Sequence, residues 1–445
     1  MAVCVIGGGL AGCEAAWQIA QRGVRVDLYE MKPTGYSPAH HSNDLAEMVC
    51  SNSLKAKTLD NASGLLKEEM RRMNSIILKC ADDNSVPAGG ALAVDREKFS
   101  QSVTFAICNH SLIKVIREEV ESIDEKIMSY DAVIIATGPL TSDALASKLQ
   151  EKGLALLNFF DAAAPIIMED SIDHSKVFKA ARYGKGSDDY INCPMNKEQY
   201  LSFYNALISA KRADVHDFDN SCVYEGCMPV EVMAERGVDT LRFGPLKPVG
   251  LNNPDTGEEY YAVCQLRQDN SEGTMFNMVG FQTRLTFGEQ KRVFGLIPGL
   301  ENAEFARYGV MHRNTYINSP GNLDETYLVK KSADGVPLFF AGQITGVEGY
   351  IESASSGLVA GINAARIVKK EPKLIFPSST MIGALANYAA NYQGSDFQPM
   401  GANFGIVKHN VGSTVYIDGK KKKIGKSEKK QLISESALNI LSTIN

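Results

Sequence analysis

Hydrophobic positions along the chain fall into short continuous apolar runs and longer stretches of helical periodicity. Ala2-Val3-Cys4-Val5-Ile6 is a run of the kind that fills a parallel strand buried on both faces. Six residues rich in glycine follow, Gly7-Gly8-Gly9-Leu10-Ala11-Gly12, and then a helical stretch to Arg22 closed by Gly23, a residue suited to the position just past a helix end. Residues 24–29 form the next apolar run and end at Glu30. Two later segments repeat the pattern of a strand ending in a small-residue turn: Asp131-Ala132-Val133-Ile134-Ile135-Ala136-Thr137-Gly138 and Pro337-Leu338-Phe339-Phe340-Ala341-Gly342-Gln343. The second leads into a helical stretch over 349–370. Leu66, Met70, Met73, Ile77 and Cys80 recur at steps of three and four, which predicts one amphipathic helix with these residues in the core.

The glycines carry the first chemistry. Gly7, Gly9 and Gly12 stand in G-x-G-x-x-G register after a strand and at the start of a helix. Gly7 permits the tight turn, Gly9 lets the backbone approach a pyrophosphate, and Gly12 allows the helix to lie close to the strand. The helix N-terminus offers unpaired N–H groups and a positive dipole end to phosphate. Glu30, about 20 residues beyond, can accept hydrogen bonds from a ribose. A simple nicotinamide domain does not need the distant third element at 337–370. A two-domain flavoprotein does, because the flavin extends past the first site toward a second helix N-terminus, so FAD is favoured over NAD. Cofactor contacts are therefore expected at Gly7, Gly8, Gly9, Leu10, Ala11, Gly12, Glu30, Gly138, Gly342 and Gln343.

The fold class that follows is α/β: a Rossmann-like FAD-binding domain of the two-dinucleotide-fold type, with an inserted α+β domain. The expected boundaries are 1–155 for the first part of the FAD-binding domain, 156–325 for the insertion, 326–372 for its second part, and 373–445 for a C-terminal segment. The insertion is rich in Gly, Pro and Asn, as in Arg242-Phe243-Gly244-Pro245-Leu246-Lys247-Pro248, which reads as turns between short strands. The C-terminal segment ends in a lysine-rich tail with Lys420, Lys421, Lys422, Lys423, Lys426, Lys429 and Lys430.

Composition narrows the picture without redirecting it. Of 445 residues, 44% are hydrophobic and 22% charged, the composition of a globular chain with a sizeable core. No stretch approaches the about 18 apolar residues of a membrane span, and residues 2–6 already look like a strand rather than a signal peptide. The 9 cysteines are scattered, with no C-x-x-C pair and no H-E-x-x-H. His40-His41 has no companion ligands, so no metal is assigned. The expectation is a reduced, cytoplasmic protein. Its net charge of −6 argues against a broadly basic surface, so any RNA contact needs a local patch, with the tail lysines the first candidates.

Longer strings go beyond a generic flavoprotein. Met48-Val49-Cys50-Ser51-Asn52-Ser53-Leu54-Lys55 and Val86-Pro87-Ala88-Gly89-Gly90-Ala91-Leu92-Ala93-Val94-Asp95-Arg96 are two of them. Others are Tyr190-Ile191-Asn192-Cys193-Pro194, Glu225-Gly226-Cys227-Met228-Pro229, Asn277-Met278-Val279-Gly280-Phe281-Gln282-Thr283 and Met311-His312-Arg313-Asn314-Thr315. The last is Ala341-Gly342-Gln343-Ile344-Thr345-Gly346-Val347-Glu348-Gly349-Tyr350. In these strings, over roughly residues 1–405, the chain closely resembles the TrmFO family of folate- and FAD-dependent tRNA uracil-5 methyltransferases. The resemblance implies that 5,10-methylenetetrahydrofolate supplies a one-carbon unit, that FAD carries it, and that NADH or NADPH supplies reducing equivalents. The implied product is 5-methyluridine at position 54, in the T-loop of tRNA. The paralogous glucose-inhibited-division type shares the fold and the A-G-Q turn but lacks the Cys50 and Cys227 contexts.

Uracil C5 is a poor nucleophile until a group adds at C6, and a thiolate is suited to that addition. A base must then remove the C5 proton. The resemblance places the two functional thiols at Cys50 and Cys227, whereas a free cysteine taken alone is more often a small buried hydrophobe. Ser51-Asn52-Ser53 reads as a helix N-cap that, with Lys55, would favour the thiolate at Cys50. Cys4, Cys13 and Cys80 read as core. Tyr350 is read as stacking on flavin or base, or as a buried aromatic. Arg96, Arg182, Lys185, Arg284 and Arg292 are candidate RNA contacts, and His312-Arg313 candidate contacts to phosphate or folate. Two alternatives stand beside the tRNA reading: the same chemistry on ribosomal RNA, and an FAD-containing RNA-binding protein without catalysis. Nothing in the sequence calls for an obligate protein partner or a membrane.

Overall fold

The apolar runs pair as parallel strands. In a computed structural model of the protein, Leu338–Phe340, Ala132–Ile135, Ala2–Ile6, Arg25–Tyr29 and Ile113–Ile116 lie side by side in that order as a five-stranded sheet. All residues of the described chain enter the account except 155, 185–188, 214–227, 254–255, 331–334, 396, 413, 418–419 and 445; for 158–161, 312–313, 414–417 and 420–423 the account is of the backbone.

Helix Leu10–Ala20 covers one face of this sheet and packs along helix Tyr350–Val368. The approach is close because Gly357 and Gly361 stand at the crossing. A Cβ on Gly357 would lie 2.1 Å from the Ala11 carbonyl oxygen, and one on Gly361 would lie 2.6 Å from that of Ala15. The sequence thus brings both helix N-termini to the same edge of the sheet. That edge is the carboxyl end of the strands, where open α/β sheets bind ligands.

A second layer is antiparallel. Phe178–Lys179, Tyr190–Met195, Ala262–Gln268, Met275–Met278, Ile166–Met168 and Phe305–Arg307 form a six-stranded sheet in that order. Helices Lys197–Ile208 and Phe287–Phe294 pack on it around Phe203, Phe281 and Phe294, a core separate from that of the parallel sheet. Strands Leu156–Ala162 and Met311–Ile317 pair antiparallel as a two-stranded connection. The C-terminal helix Lys426–Leu441 returns to the first core, where Ile433, Ala437, Leu438 and Leu441 are buried.

Two local expectations are corrected. The helix predicted through Leu66 and Cys80 is two helices, Ala62–Arg72 and Ile76–Asp83. The chain turns at Asn74, which has φ 56°, and Ser75 caps the second helix by accepting the Leu78 N–H. The apolar period survives the break: Leu66, Met70, Ile77 and Cys80 are all buried. Ser51-Asn52-Ser53 caps no helix. Ser53–Ala56 is a strand paired with Ala91–Val94, and that pairing overrides the local capping preference.

Candidate active site

The turn after the first strand builds one end of a cleft. Gly7 has φ 103°, and a Cβ there would meet the Ala136 carbonyl oxygen at 2.5 Å. Gly12 does not line the cleft; its α-carbon faces the Gly7 carbonyl oxygen, which a Cβ would approach to 1.8 Å. Gly9 is the opposite case, with nothing within 4 Å of a Cβ position. It is the N-cap of its helix without a side-chain cap, so the first-turn N–H groups point at open space. Gly349, the N-cap of the second helix, likewise has no side-chain cap.

Glu30 is buried and fixed by two backbone donors. Its Oε2 accepts the Gly8 N–H at 2.8 Å and its Oε1 accepts the Lys32 N–H at 3.0 Å. Remaining lone pairs are available to a diol. Gly138, with φ 69°, and Gly342, with φ 90°, line the cleft, and the Gly342 N–H donates to Ser356 Oγ. The Gln343 side-chain amide donates to the Glu348 carboxylate. The structure therefore brings Gly7, Gly8, Gly9, Leu10, Ala11, Glu30, Gly138, Gly342 and Gln343 to one cleft. The uncapped helix N-terminus at Gly9 for the pyrophosphate, an acidic acceptor for ribose and the Gly342-Gln343 turn before the second helix fit a flavin dinucleotide. His40 and Lys32 also line this cleft, and nothing in their sequence context announces them.

A second cavity adjoins the first and shares Val49, Pro139, Leu140, Gln343, Tyr350 and Ser353 with it. Cys50 lines this cavity, half-buried. Its thiol reaches the Ala162 carbonyl oxygen at 3.7 Å, and its N–H donates to Tyr350 Oη at 2.7 Å. Lys55 lines the same cavity and pairs with the buried Glu352 carboxylate at 2.8 Å. Three arginines reach the Cys50 loop: Arg96 donates to the Met48 carbonyl, Arg307 to the Val49 carbonyl, and Arg267, from the antiparallel sheet, donates through Nη2 to Ser51 Oγ and through Nε to Asn52 Oδ1. Tyr350, with stacking one of its two expected fates, gives its hydroxyl to backbone donors. No local sequence signal marks Arg267, which lies far along the chain from Cys50.

Cys227 lies outside the described residues, as do Cys222 and Lys185. Cys4, Cys13, Cys193 and Cys264 are buried, and burial pushes each thiol up, out of the reactive range. Burial raises Cys80 to about 11. Three candidate RNA contacts are occupied within the protein. Arg96 pairs with Asp269 at 2.9 Å, Arg182 donates to the Lys247 and Val249 carbonyls, and Arg292 pairs with Glu289.

The parallel sheet, the glycine turn and the second uncapped helix define an FAD-binding protein of the two-dinucleotide type. The family model described as Glucose inhibited division protein A matches residues 2–372. The GidA structure of Aquifex aeolicus in its form II crystal is similar in fold, with a TM-score of 0.69 over 99% of this chain and 73% of that one, at 17% identity. Sequence likeness is far higher to proteins named methylenetetrahydrofolate--tRNA-(uracil-5-)-methyltransferase TrmFO. One from Acetivibrio thermocellus is 64% identical over 405 residues, 91% of each chain, and one from Natranaerobius thermophilus is 56% identical over 442 residues, 99% of this chain and 98% of that one. The chain belongs to the TrmFO family. Among the described residues, no helix is long and apolar enough to cross a membrane.

Proposed function

We propose that the protein forms 5-methyluridine at position 54 of tRNA, taking the one-carbon unit from 5,10-methylenetetrahydrofolate and reducing equivalents from NADH or NADPH. The observation that carries this reading is the adjacency of the two cavities: the cleft with the dinucleotide turn and the cavity lined by Cys50 share Gln343 and Tyr350 as lining residues. FAD, when bound, supplies the redox chemistry and carries the one-carbon unit. The chain's own residues do the rest. A thiolate adds to uracil C6, which places the electron pair on C5 and O4; after C5 has gained its carbon, a second group takes the C5 proton, and the thiolate leaves as the double bond returns. We assign these two roles jointly to Cys50 and Cys227. The Glu30 and glycine-turn contacts hold the dinucleotide, and the Gln343–Glu348 pair fixes the amide at the junction.

Unmodified tRNA, methylenetetrahydrofolate and NADH or NADPH are incubated with the wild-type protein, Cys50→Ala and Cys227→Ala, and 5-methyluridine is measured. Both variants are expected to lose product by at least about a hundredfold while retaining FAD. Full activity in either removes that residue from the assignment. Ribosomal RNA in place of tRNA is expected to give no product.

A further inference from the structure

Arg267 is 7% exposed, yet among the described residues no carboxylate stands in ion-pair reach of it. Its guanidinium donates to two neutral acceptors, Asn52 Oδ1 at 3.0 Å and Ser51 Oγ at 2.9 Å. The neighbouring carboxylate, Asp269, is taken by Arg96 through two of its guanidinium nitrogens. A buried cation without a counter-charge is costly, so an anion is expected beside it. The residue directly before Ser51 is Cys50, whose thiol faces the second cavity. Burial depresses the Arg267 guanidinium, and Tyr190, Asp269 and Cys50 oppose that shift.

The other charged and titratable groups around the loop leave the balance positive. Lys55 is neutralised by Glu352 and Arg96 by Asp269; Glu348, hydrogen-bonded by the Gln343 amide, keeps its negative charge and is outweighed by Arg267 and Arg307. Glu47 pairs with Lys32. Arg307 donates to the Val49 carbonyl and has no ion pair among the described residues. Tyr350 and Tyr190 stay protonated, because burial pushes both phenols up. No carboxylate among the described residues makes an ion pair with Arg267 or Arg307, although Asp269 acts on both from a distance and Glu47 on Arg307.

The loop is also held rigidly to this cation. Asn52 is fully buried, and its Nδ2 donates to the Val94 carbonyl at 3.0 Å and the Gln268 carbonyl at 2.9 Å while its Oδ1 accepts from Arg267. The loop that carries Cys50 therefore cannot move away from the guanidinium without breaking buried bonds.

We propose that Arg267 is a positioning residue that holds Cys50 as its thiolate, the Sγ charge balancing the buried guanidinium and the thiol proton passing to water. The proposal rests on the reading of Cys50 as a functional thiol, but not on which role it takes, since addition to C6 and removal of the C5 proton both require the thiolate.

The test is the pH profile of Cys50 alkylation by iodoacetamide in the full-length, FAD-loaded protein, followed by peptide mass spectrometry. It needs neither RNA nor folate. The wild-type profile is expected to have its midpoint below the about 8.5 of a free cysteine. Arg267→Met is expected to move it up by at least about one pH unit, a tenfold loss of thiolate in the region below both midpoints. Arg267→Lys restores most of the shift, because it keeps the charge. Ser51→Ala, which removes a hydrogen bond and no charge, leaves the profile near wild type. An Arg267→Met profile that coincides with wild type overturns the proposal, as does a Cys50 that is not alkylated at any pH or a lysine variant that fails to restore the shift with FAD still bound. A shifted profile together with full methylation by Cys50→Ala would leave the ion pair standing and remove the catalytic reading.

Discussion

The hydroxyl of Tyr350 accepts two consecutive backbone N–H groups, that of Cys50 at 2.7 Å and that of Ser51 at 3.3 Å. Tyr350 is the first residue of the helix that reaches the dinucleotide cleft, and it lines both cavities. One side chain thus ties the thiol-bearing loop to the helix that the second half of the dinucleotide site depends on. Displacement of either element reaches the other through this oxygen.

Tyr350→Phe should separate flavin binding from chemistry. It leaves two backbone donors without an acceptor, at a cost of about 1–3 kcal/mol. The expected result is a protein that still carries FAD but forms 5-methyluridine about tenfold or more slowly. Flavin absorbance and product assay on the same preparation check it; equal rates would show that the loop keeps its place without the phenol.

Gly9 and Gly12 should fail in different ways. An Ala side chain at residue 12 meets the Gly7 carbonyl oxygen at 1.8 Å, a backbone atom that cannot yield, so Gly12→Ala is expected to destabilise the fold by about 1–3 kcal/mol or more. At residue 9, φ is −73° and a Cβ meets nothing within 4 Å, so Gly9→Ala should leave the apoprotein's melting temperature unchanged. It should nonetheless purify with little FAD, because the methyl group takes the space a pyrophosphate needs. Thermal melts of the flavin-stripped proteins and flavin content of the untreated ones decide the matter.

Lys67 gives the stability a pH dependence of known sign. It is fully buried, with Nζ 2.6 Å from the Leu54 carbonyl oxygen, and burial brings it from 10.5 down to about 7. Between those values the unfolded chain binds the proton and the folded one does not, so stability should rise as pH goes from about 7 toward 10.5. Below 7 the amine is charged in both states and the full penalty applies. Lys67→Met is therefore expected to stabilise most below pH 7, the gain shrinking by up to about 1.4 kcal/mol per pH unit above it. Denaturant titrations from pH 6.5 to 9.5 measure the difference, and a gain independent of pH would contradict the assignment.

The lysine-rich tail must be tested by charge rather than by deletion. Helix Lys426–Leu441 buries apolar side chains in the main core, Ser434 Oγ donates to the Leu59 carbonyl, and Arg72 donates to the Leu438 carbonyl. Removing it would expose the core. Replacing Lys420, Lys421, Lys422 and Lys423 by Gln is expected to leave the melting temperature unchanged and to weaken RNA binding. The log–log salt slope should fall by about 0.7–0.9 for each phosphate that the variant no longer neutralises. An unchanged slope would show that RNA is held elsewhere.

The dinucleotide site is legible in the chain because its parts are neighbours in sequence. Strand Ala2–Ile6, the glycines, helix Leu10–Ala20 and Glu30 interact over a few turns of backbone, so local periodicity and glycine placement suffice to specify them. The same holds for the apolar face from Leu66 to Cys80, although Asn74 and Ser75 break the helix there, a break that the period of three and four does not register. The surroundings of Cys50 follow a different rule. Its motif marks a thiol but misplaces the local backbone, since Ser53 joins a strand with Ala93 rather than capping a helix. What holds the loop instead is Arg267 from the antiparallel sheet, bonded to Ser51 and Asn52, and Tyr350 from the helix that follows strand Leu338–Phe340. Those contacts join residues hundreds of positions apart, and burial between packed layers, not any pattern within a segment, decides which charge ends beside which sulfur.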